Sequence, residues 1–265
     1  MTRAAHGVLI AVPETAWAKG GAAIREAVTA ASELRGFLEQ RFPGARIELV
    51  APEPGRPVTK AAVLDAFAAA HPAPGDLFVV LFFGHGLPAD SAHPYQSWAL
   101  TTEELTDVDL AGLLRQLPPD VDTVVISTCC YGRGFYYVGP RSPETGAWTR
   151  PLRMPSLRQL SRAFAMGVQD VVDAPMVCIS AAGSGEAGDG IVLRAVAGQL
   201  LAEIQAAAEE GISYRDLDER FRRRRAAGHE FHVDARPADR LDQAVLATEV
   251  LPCARDGRAA GGAGR

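Results

Sequence analysis

The sequence is poor in cysteine and in long apolar runs, and each shortage excludes a class of protein. Only four of the 265 residues are cysteines, and none lies in a CxxC or His/Cys spacing that could close around zinc, so neither a disulfide framework nor a metal site is predicted. No stretch approaches the roughly 20 apolar residues that cross a bilayer. The apolar run at 7–12 is too short for a signal peptide. We therefore expect a soluble, cytoplasmic protein that does not contact a membrane.

Positive charge is also scarce. The net charge is −5 and the isoelectric point is near 5.7, which provides no broad basic surface for nucleic acid. The one dense basic run, residues 222–225, is interpreted as the solvated end of a helix. The glycine-rich stretches at 84–90 and 181–190 lack the Lys-Ser/Thr ending of a phosphate-binding loop. We expect no nucleic-acid partner and no cofactor.

Short β-type runs alternate with longer amphipathic stretches. The predicted strands cover residues 7–12, 46–50, 76–83, 122–128 and 176–180, and the predicted helices cover 24–42, 59–70, 107–116, 156–166, 190–210 and 213–226. This alternation predicts an α/β protein with a mostly parallel sheet between two layers of helices, a three-layer α/β/α sandwich. Residues 251–265, rich in Gly, Ala and Arg, are predicted to be a disordered tail.

Two of the predicted strands are followed by residues that can do chemistry. Residues 77–83 and 122–128 are apolar with little alternation, which is typical of central parallel strands covered on both faces. Ligands of open α/β sheets collect at the carboxyl ends of such strands. His85 follows the first strand and Cys129 follows the second. Because a thiol is only a few per cent ionised at neutral pH, an adjacent imidazole that takes its proton would make it a nucleophile for carbonyl carbon.

The glycine after the histidine has a physical use in this interpretation. Gly86 lets the backbone approach a substrate closely, and its N–H together with that of Cys129 could bind the oxyanion of a tetrahedral intermediate. A structural interpretation stands beside the chemical one. In it, His85 is a helix cap or a satisfied polar group at a strand end, and Cys129 and Cys130 are small buried apolar residues.

Three runs, DLFVVLFFGHG, LTTEELTDVDLAGLLRQLP and DTVVISTCCYGRG, together resemble the caspase-like fold of cysteine peptidases, especially the prokaryotic caspase-like and metacaspase proteins. In that family one strand ends in His-Gly, the run Leu-Thr-x-x-Glu-Leu leads into a helix, and a later strand ends in the catalytic cysteine. The resemblance extends over residues 7–226. It implies about six mostly parallel strands, the last of them near 229–233 or 245–250.

The resemblance also implies a domain plan and a partner. The plan is a single caspase-like domain over residues 1–250. It consists of a large-subunit-like part at 1–140, a linker at 141–156 and a small-subunit-like part at 157–250. The implied partner is a polypeptide substrate. The resemblance leaves room for an activating partner or regulator and sets no oligomeric state.

The family's roles fall on matching positions of this sequence. His85 matches the general base and Cys129 the nucleophile, while Gly86 and Cys129 match the donors of the oxyanion N–H groups. The family requires no third carboxylate, because a backbone carbonyl can orient the imidazole. The resemblance therefore implies peptide hydrolysis by a Cys-His dyad.

The sequence departs from the metacaspase pattern around the nucleophile. Metacaspases read Asp-x-Cys-x-Ser-Gly, whereas this chain reads Ser-Thr-Cys-Cys-Tyr-Gly over residues 127–132. Ser127 therefore replaces the aspartate that helps to hold a basic side chain at P1, the residue before the cleaved bond. The Asn-Asp pair often found in the first helix is also missing, at Thr29 and Ala30. The spacing to the glycine favours Cys129 over Cys130 as the nucleophile.

The loops that match the substrate pocket carry acids. Caspases proper hold an aspartate at P1 with arginines in these loops, whereas this chain has Glu14 after the first strand and Glu186 and Asp189 after the fifth. Acidic residues in a cleft favour Arg or Lys at P1. We therefore expect Glu14, Glu186 and Asp189 to bind a basic side chain of the substrate, with Ser127 in the same pocket at the position of the lost aspartate. The alternative for Glu186 and Asp189 is that they are ordinary solvent-exposed loop residues.

Residues 133–156 carry prolines, glycines and arginines without periodicity and are predicted to form a long loop. Related enzymes are processed in the segment that joins their two halves. Arg141, Arg150 and Arg153 are therefore candidate self-cleavage points.

The sequence thus predicts a cysteine endopeptidase that cuts after Arg or Lys. One alternative is a catalytically inactive caspase-like protein that binds a partner, suggested by the changes beside the nucleophile. The other is a Cys-His acyl hydrolase, such as a thioesterase or amidase, that acts on small molecules.

Overall fold

The computed structural model describes residues 3–17, 26–87, 97–118, 120–129, 176–182, 190–223, 230–236 and 238–249. Its strands are β1 (Ala5–Ala11), β2 (Arg46–Val50), β3 (Leu77–Phe83), β4 (His85–Leu87), β5 (Ser97–Ala99), β6 (Glu104–Thr106), β7 (Asp122–Ser127), β8 (Met176–Ala182) and β9 (Glu230–Arg236). Its α-helices are α1 (Glu26–Arg41), α2 (Lys60–Ala70), α3 (Asp107–Leu114), α4 (Gly190–Glu210) and α5 (Tyr214–Arg223). A 3₁₀ helix covers Ala238–Asp242.

Six strands form the main sheet in the order β2-β1-β3-β7-β8-β9. All neighbouring pairs are parallel except β8 and β9, which run antiparallel. The predicted sheet of about six mostly parallel strands is therefore confirmed. The last strand occupies Glu230–Arg236, close to the first of its two predicted positions. The second position is wrong, since residues 245–249 form turns and a bridge instead of a strand.

Apolar side chains on both faces of the sheet bury against helices. On one face, Val79 and Leu81 of β3 share a core with α1, α4 and α5. On the other face, Phe78, Val80 and Phe82 share a core with α2 and α3. Every residue of β3 is buried as a result, which explains why this strand is a continuous apolar run. The fold is the predicted three-layer α/β/α sandwich.

The first helix shows why its sequence pattern was readable. Ala27, Ala31, Leu34 and Leu38 recur at spacings of three and four and are fully buried, so they form one apolar stripe against the sheet. The predicted start at residue 24 lies outside the described residues. The helices predicted at 59–70 and 107–116 are found at Lys60–Ala70 and Asp107–Leu114.

A second, smaller sheet was not predicted. β4, β5 and β6 form it in that order, with antiparallel pairing. The run LTTEEL leads into the helix as a strand, since Glu104–Thr106 is β6, and α3 begins at the predicted Asp107 with Thr106 as its cap. This small sheet follows directly from the carboxyl end of β3 and so borders the candidate site.

The basic run at 222–225 is in part described. Arg222 pairs with Asp218, and Arg223 pairs with Glu219, each one turn away on α5, and both arginines are exposed. These two residues form the solvated helix end that the sequence predicted. Among the described helices, none combines the length and the apolar content that a membrane crossing requires.

Candidate active site

The carboxyl ends of β3 and β7 lie side by side at one edge of the main sheet. The parallel register pairs Phe82 with Ser127. Cys129 follows Ser127 by two residues, and His85 follows Phe82 by three. The sheet therefore places the two candidate residues after adjacent strand ends, although they are far apart in sequence.

Thr128 links the carboxyl ends of β3 and β7 by hydrogen bonds. Its backbone N–H and its hydroxyl both donate to the Phe82 carbonyl oxygen, each at 3.0 Å. The Thr128 side chain is buried, so water does not compete for these bonds. The double contact holds β3 against β7 immediately before the candidate residues.

Gly84 makes the turn out of β3 under close steric restriction. A Cβ atom at this position would lie 2.7 Å from Cζ of the Phe82 ring. That ring is fully buried and stacks on Trp98 of β5, with centroids 4.6 Å apart and planes 3° from parallel. A side chain at this position would force the buried ring to shift, which gives a packing reason for the glycine before the histidine.

His85 opens β4 opposite Ala99 of β5. The residue is half-buried, and its pKa is lowered because burial desolvates the imidazolium form. The imidazole is therefore neutral near neutral pH. Neutral imidazole is the form that accepts a proton.

Cys129 is fully buried on the face of the sheet that α2 and α3 cover, and it carries a thiol. The Ser127 hydroxyl oxygen lies 3.1 Å from its sulfur. The two residues are two positions apart across the end of β7, and their contact shows that both side chains lie on the same face of the sheet. Because the sulfur has no exposed surface, neighbouring atoms must move aside before a substrate carbonyl can reach it.

The remaining predicted site residues are only partly described. Gly86 is half-buried in β4, opposite Trp98. Glu14 is exposed in the segment after β1, at the same edge of the sheet. The Ala16 N–H of that segment donates to the carbonyl of Thr101, in the connection between β5 and β6, at 2.8 Å. Cys130, Glu186, Asp189 and the three arginines Arg141, Arg150 and Arg153 lie outside the described residues, as do the helix predicted at 156–166 and the tail at 251–265.

Sequence reasoning missed Thr128 and Trp98. Thr128 carried one signal, since it precedes the cysteine at a strand end. Trp98 carried none, because its contact with Phe82 joins residues of two different sheets and depends on a three-residue strand. Within the described residues, no group of three or more His, Cys, Asp or Glu side chains is arranged to hold a metal ion.

Comparison with known proteins defines the fold class only. No family model matches the chain, and no curated protein matches it. Among solved structures, protein GSU0716 from Geobacter sulfurreducens is similar over 93% of this chain and 98% of its own, with a TM-score of 0.53 and 19% sequence identity. At this identity the similarity supports the α/β/α architecture and carries no information on activity.

Proposed function

We propose that this protein is a cysteine endopeptidase of the caspase-like type, in which Cys129 is the nucleophile and His85 the general base. The observation that carries the proposal is the register of β3 and β7. It sets a thiol and a half-buried imidazole at the ends of two central, adjacent, parallel strands, where open α/β sheets bind their ligands.

The mechanism follows from the chemistry of these groups. His85 takes the proton of the Cys129 thiol, and the thiolate attacks the carbonyl carbon of the peptide bond. The N–H groups of Gly86 and Cys129 stabilise the oxyanion that forms. The intermediate collapses to a thioester while His85 returns its proton to the departing amine. Water, deprotonated by His85, then hydrolyses the thioester and restores the thiol.

The proposed specificity is for Arg or Lys at P1. Support comes from Glu14, whose exposed carboxylate lies at the same edge of the sheet as the candidate pair and can make a charge-assisted hydrogen bond to a basic side chain. Kinetics on matched Arg, Lys and Asp peptides test this. Glu14→Gln should lower kcat/KM severalfold on the basic peptides only. A wild-type kcat/KM on the Asp peptide that equals those on the Arg and Lys peptides contradicts the assignment.

Self-processing after Arg141, Arg150 or Arg153 is part of the proposal. Support comes from the resemblance, since related enzymes are processed in the segment that joins their two halves and these arginines fall in the matching segment. The test is to incubate the purified protein and the Cys129→Ala variant and to compare their chain lengths on a gel. Wild-type chains should shorten while the variant stays intact, and intact chains in both samples count against self-processing.

The central experiment compares new chain ends in a cell lysate. Wild-type protein, Cys129→Ala and Cys178→Ala are added separately, and new terminal peptides are identified by mass spectrometry. Cys178 is a second buried thiol, in β8, so its variant controls for loss of a buried sulfur. New termini with wild type and Cys178→Ala, absent with Cys129→Ala, support the endopeptidase. Equal patterns from all three proteins refute it.

A catalytically inactive binding protein is the second candidate. The complete burial of Cys129 favours it, because an enzyme must present its nucleophile to the substrate. This candidate predicts no cleavage of any peptide and no modification of Cys129 by iodoacetamide at neutral pH. Modification of Cys129 together with cleavage of lysate proteins excludes it.

A further inference from the structure

Ser127 contacts Cys129 directly, a contact that the sequence did not predict. Its hydroxyl oxygen lies 3.1 Å from the Cys129 sulfur, within hydrogen-bonding distance, and either group can be the donor while the sulfur is a thiol. The sequence assigned this side chain to the substrate pocket. Its contact is with the nucleophile.

The position of Ser127 in the sheet keeps the hydroxyl in place. It is the last residue of β7 and is paired with Phe82 on one side and Ser180 on the other. The residue has no exposed surface, so its side chain is held among packed neighbours. The hydroxyl is therefore directed to the sulfur by the sheet and not by a flexible loop.

We propose that Ser127 is a positioning residue for the nucleophile, whose hydroxyl donates to the Cys129 sulfur and stabilises the thiolate. This inference rests on the proposed function for its consequence in catalysis. Its physical basis is that an ionised sulfur enclosed by apolar side chains receives little help from solvent, so a fixed donor carries more weight there than in water. When the proton leaves the thiol for His85, the hydroxyl bond to sulfur strengthens because its acceptor becomes charged.

Ser180 supplies a matched control. It is the residue of β8 directly opposite Ser127, it is equally buried, and its hydroxyl has no hydrogen-bond partner among the described residues. Ser180→Ala therefore removes the same group from the same depth of the sheet without removing a contact to sulfur.

The experiment titrates the thiolate of Cys129 by its ultraviolet absorbance. Spectra of wild type, Ser127→Ala, Ser127→Thr and Ser180→Ala are each corrected with the same protein carrying Cys129→Ala, which isolates the signal of this one sulfur. Loss of the hydroxyl should raise the titration midpoint of Cys129 by about one to two pH units, the shift that corresponds to a hydrogen bond to a charged group. Ser127→Thr, which keeps a hydroxyl, and Ser180→Ala should leave the midpoint near that of wild type.

The readout separates this inference from the proposed peptidase activity, because it needs neither substrate nor reagent access. If the protein has no peptidase activity but the titration midpoint of Cys129 rises in Ser127→Ala, the inference stands and the proposed function is refuted. An active protein whose midpoint is unchanged in Ser127→Ala overturns the inference and keeps the function. A midpoint that rises equally in Ser180→Ala also overturns it, since the effect would then come from repacking of the sheet.

Discussion

Individual residues at the end of β3 combine a packing restriction with a chemical group. Gly84 has no room for a side chain because the Phe82 ring fills the space, and His85 follows it with a half-buried ring. The restriction fixes where the imidazole leaves the sheet. Burial favours the neutral form of the imidazole, because it lowers the pKa of His85.

The pH dependence of cleavage follows from that lowered pKa. A general base works only when unprotonated, so kcat/KM rises as the pH increases through the pKa of His85. Because desolvation lowers this pKa, the acid limb of the profile should lie below the ordinary histidine value of about 6.5. Initial rates on a peptide substrate across the acid range measure it. An acid limb above that value would contradict the proposed role of burial.

The packing restriction at Gly84 gives a stability prediction. In Gly84→Ala the new Cβ would meet the buried Phe82 ring at 2.7 Å, so the ring and its stacked partner Trp98 must shift. We expect a loss of about 1 to 3 kcal/mol in the free energy of unfolding, typical of overpacking, together with reduced activity. Denaturant titration measures the loss.

Gly36 of α1 is the control for that substitution. A Cβ there would have no heavy atom within 4 Å, and alanine favours the helix, so Gly36→Ala should stabilise the protein by about 0.5 to 1 kcal/mol. If Gly84→Ala and Gly36→Ala change the free energy of unfolding in the same direction and by the same amount, the Phe82 ring does not restrict position 84.

Among the secondary-structure elements, the start of α3 connects β6 of the small sheet to the neighbouring helix α2. Thr106 ends β6 and caps α3, and its hydroxyl accepts from the Asp109 N–H at 3.1 Å while the Asp109 carboxylate accepts from the Thr106 N–H at 2.9 Å. Lys60 at the start of α2 pairs with the same carboxylate at 2.8 Å. One carboxylate thus joins β6, α3 and α2.

The Asp109 carboxylate should make stability depend on pH. Burial alone would raise its pKa, but hydrogen bonds from Lys60 and Thr106 outweigh burial and hold the pKa below its ordinary value. The carboxylate therefore stabilises the fold above its unfolded-state pKa of about 3.9, and this contribution is lost as the pH falls through the lower pKa of the folded state. Asp109→Asn should cost about 1 kcal/mol at neutral pH, the net worth of a hydrogen bond, with the difference from wild type shrinking below about pH 4.

Denaturant titrations at a series of pH values measure this difference. Asp65→Asn, on the exposed face of α2, is the control and should stay within about 0.5 kcal/mol of wild type at every pH. A cost for Asp109→Asn that does not change with pH would show that the carboxylate acts by shape and not by charge.

The elements differ in how far the sequence could predict them. β3 is an unbroken apolar run and α1 repeats apolar residues every three or four positions, so local pattern was enough for both. β4, β5 and β6 have three residues each, too few for a period to appear, and they exist because they pair with one another. The contact of Ser127 with Cys129 was equally hidden, since it depends on the path of the chain after the last residue of β7.

For the whole molecule, a buried ionic cluster joins the two ends of the described chain. Asp122, at the start of β7, accepts from Arg3 at 2.6 Å and from Arg240 at 2.9 Å. Arg3 also bonds to the backbone carbonyls of Ala247 and Thr248. The cluster lies at the amino-terminal ends of β1 and β7, opposite the candidate site.

Removal of the central charge should destabilise the whole fold. Asp122→Asn leaves two arginines, both at least 85% buried in their side chains, without their shared counter-charge, and breaking a buried pair in this way costs about 3 kcal/mol. Glu39→Gln, which breaks the exposed pair with Arg35, should cost less than about 0.5 kcal/mol. Denaturant titration compares the two, and similar losses would contradict a structural role for the cluster.

The most direct test of the proposed activity is covalent capture of the nucleophile. The protein is incubated with a peptidyl-arginyl chloromethyl ketone, and the rate and position of alkylation are read by mass spectrometry in wild type and in His85→Ala. We expect the label on Cys129, with a rate that His85→Ala lowers roughly 10² to 10⁴-fold, as for loss of a general base. An unlabelled Cys129, or a labelling rate that does not depend on His85, would contradict the proposal that these two residues form one catalytic site.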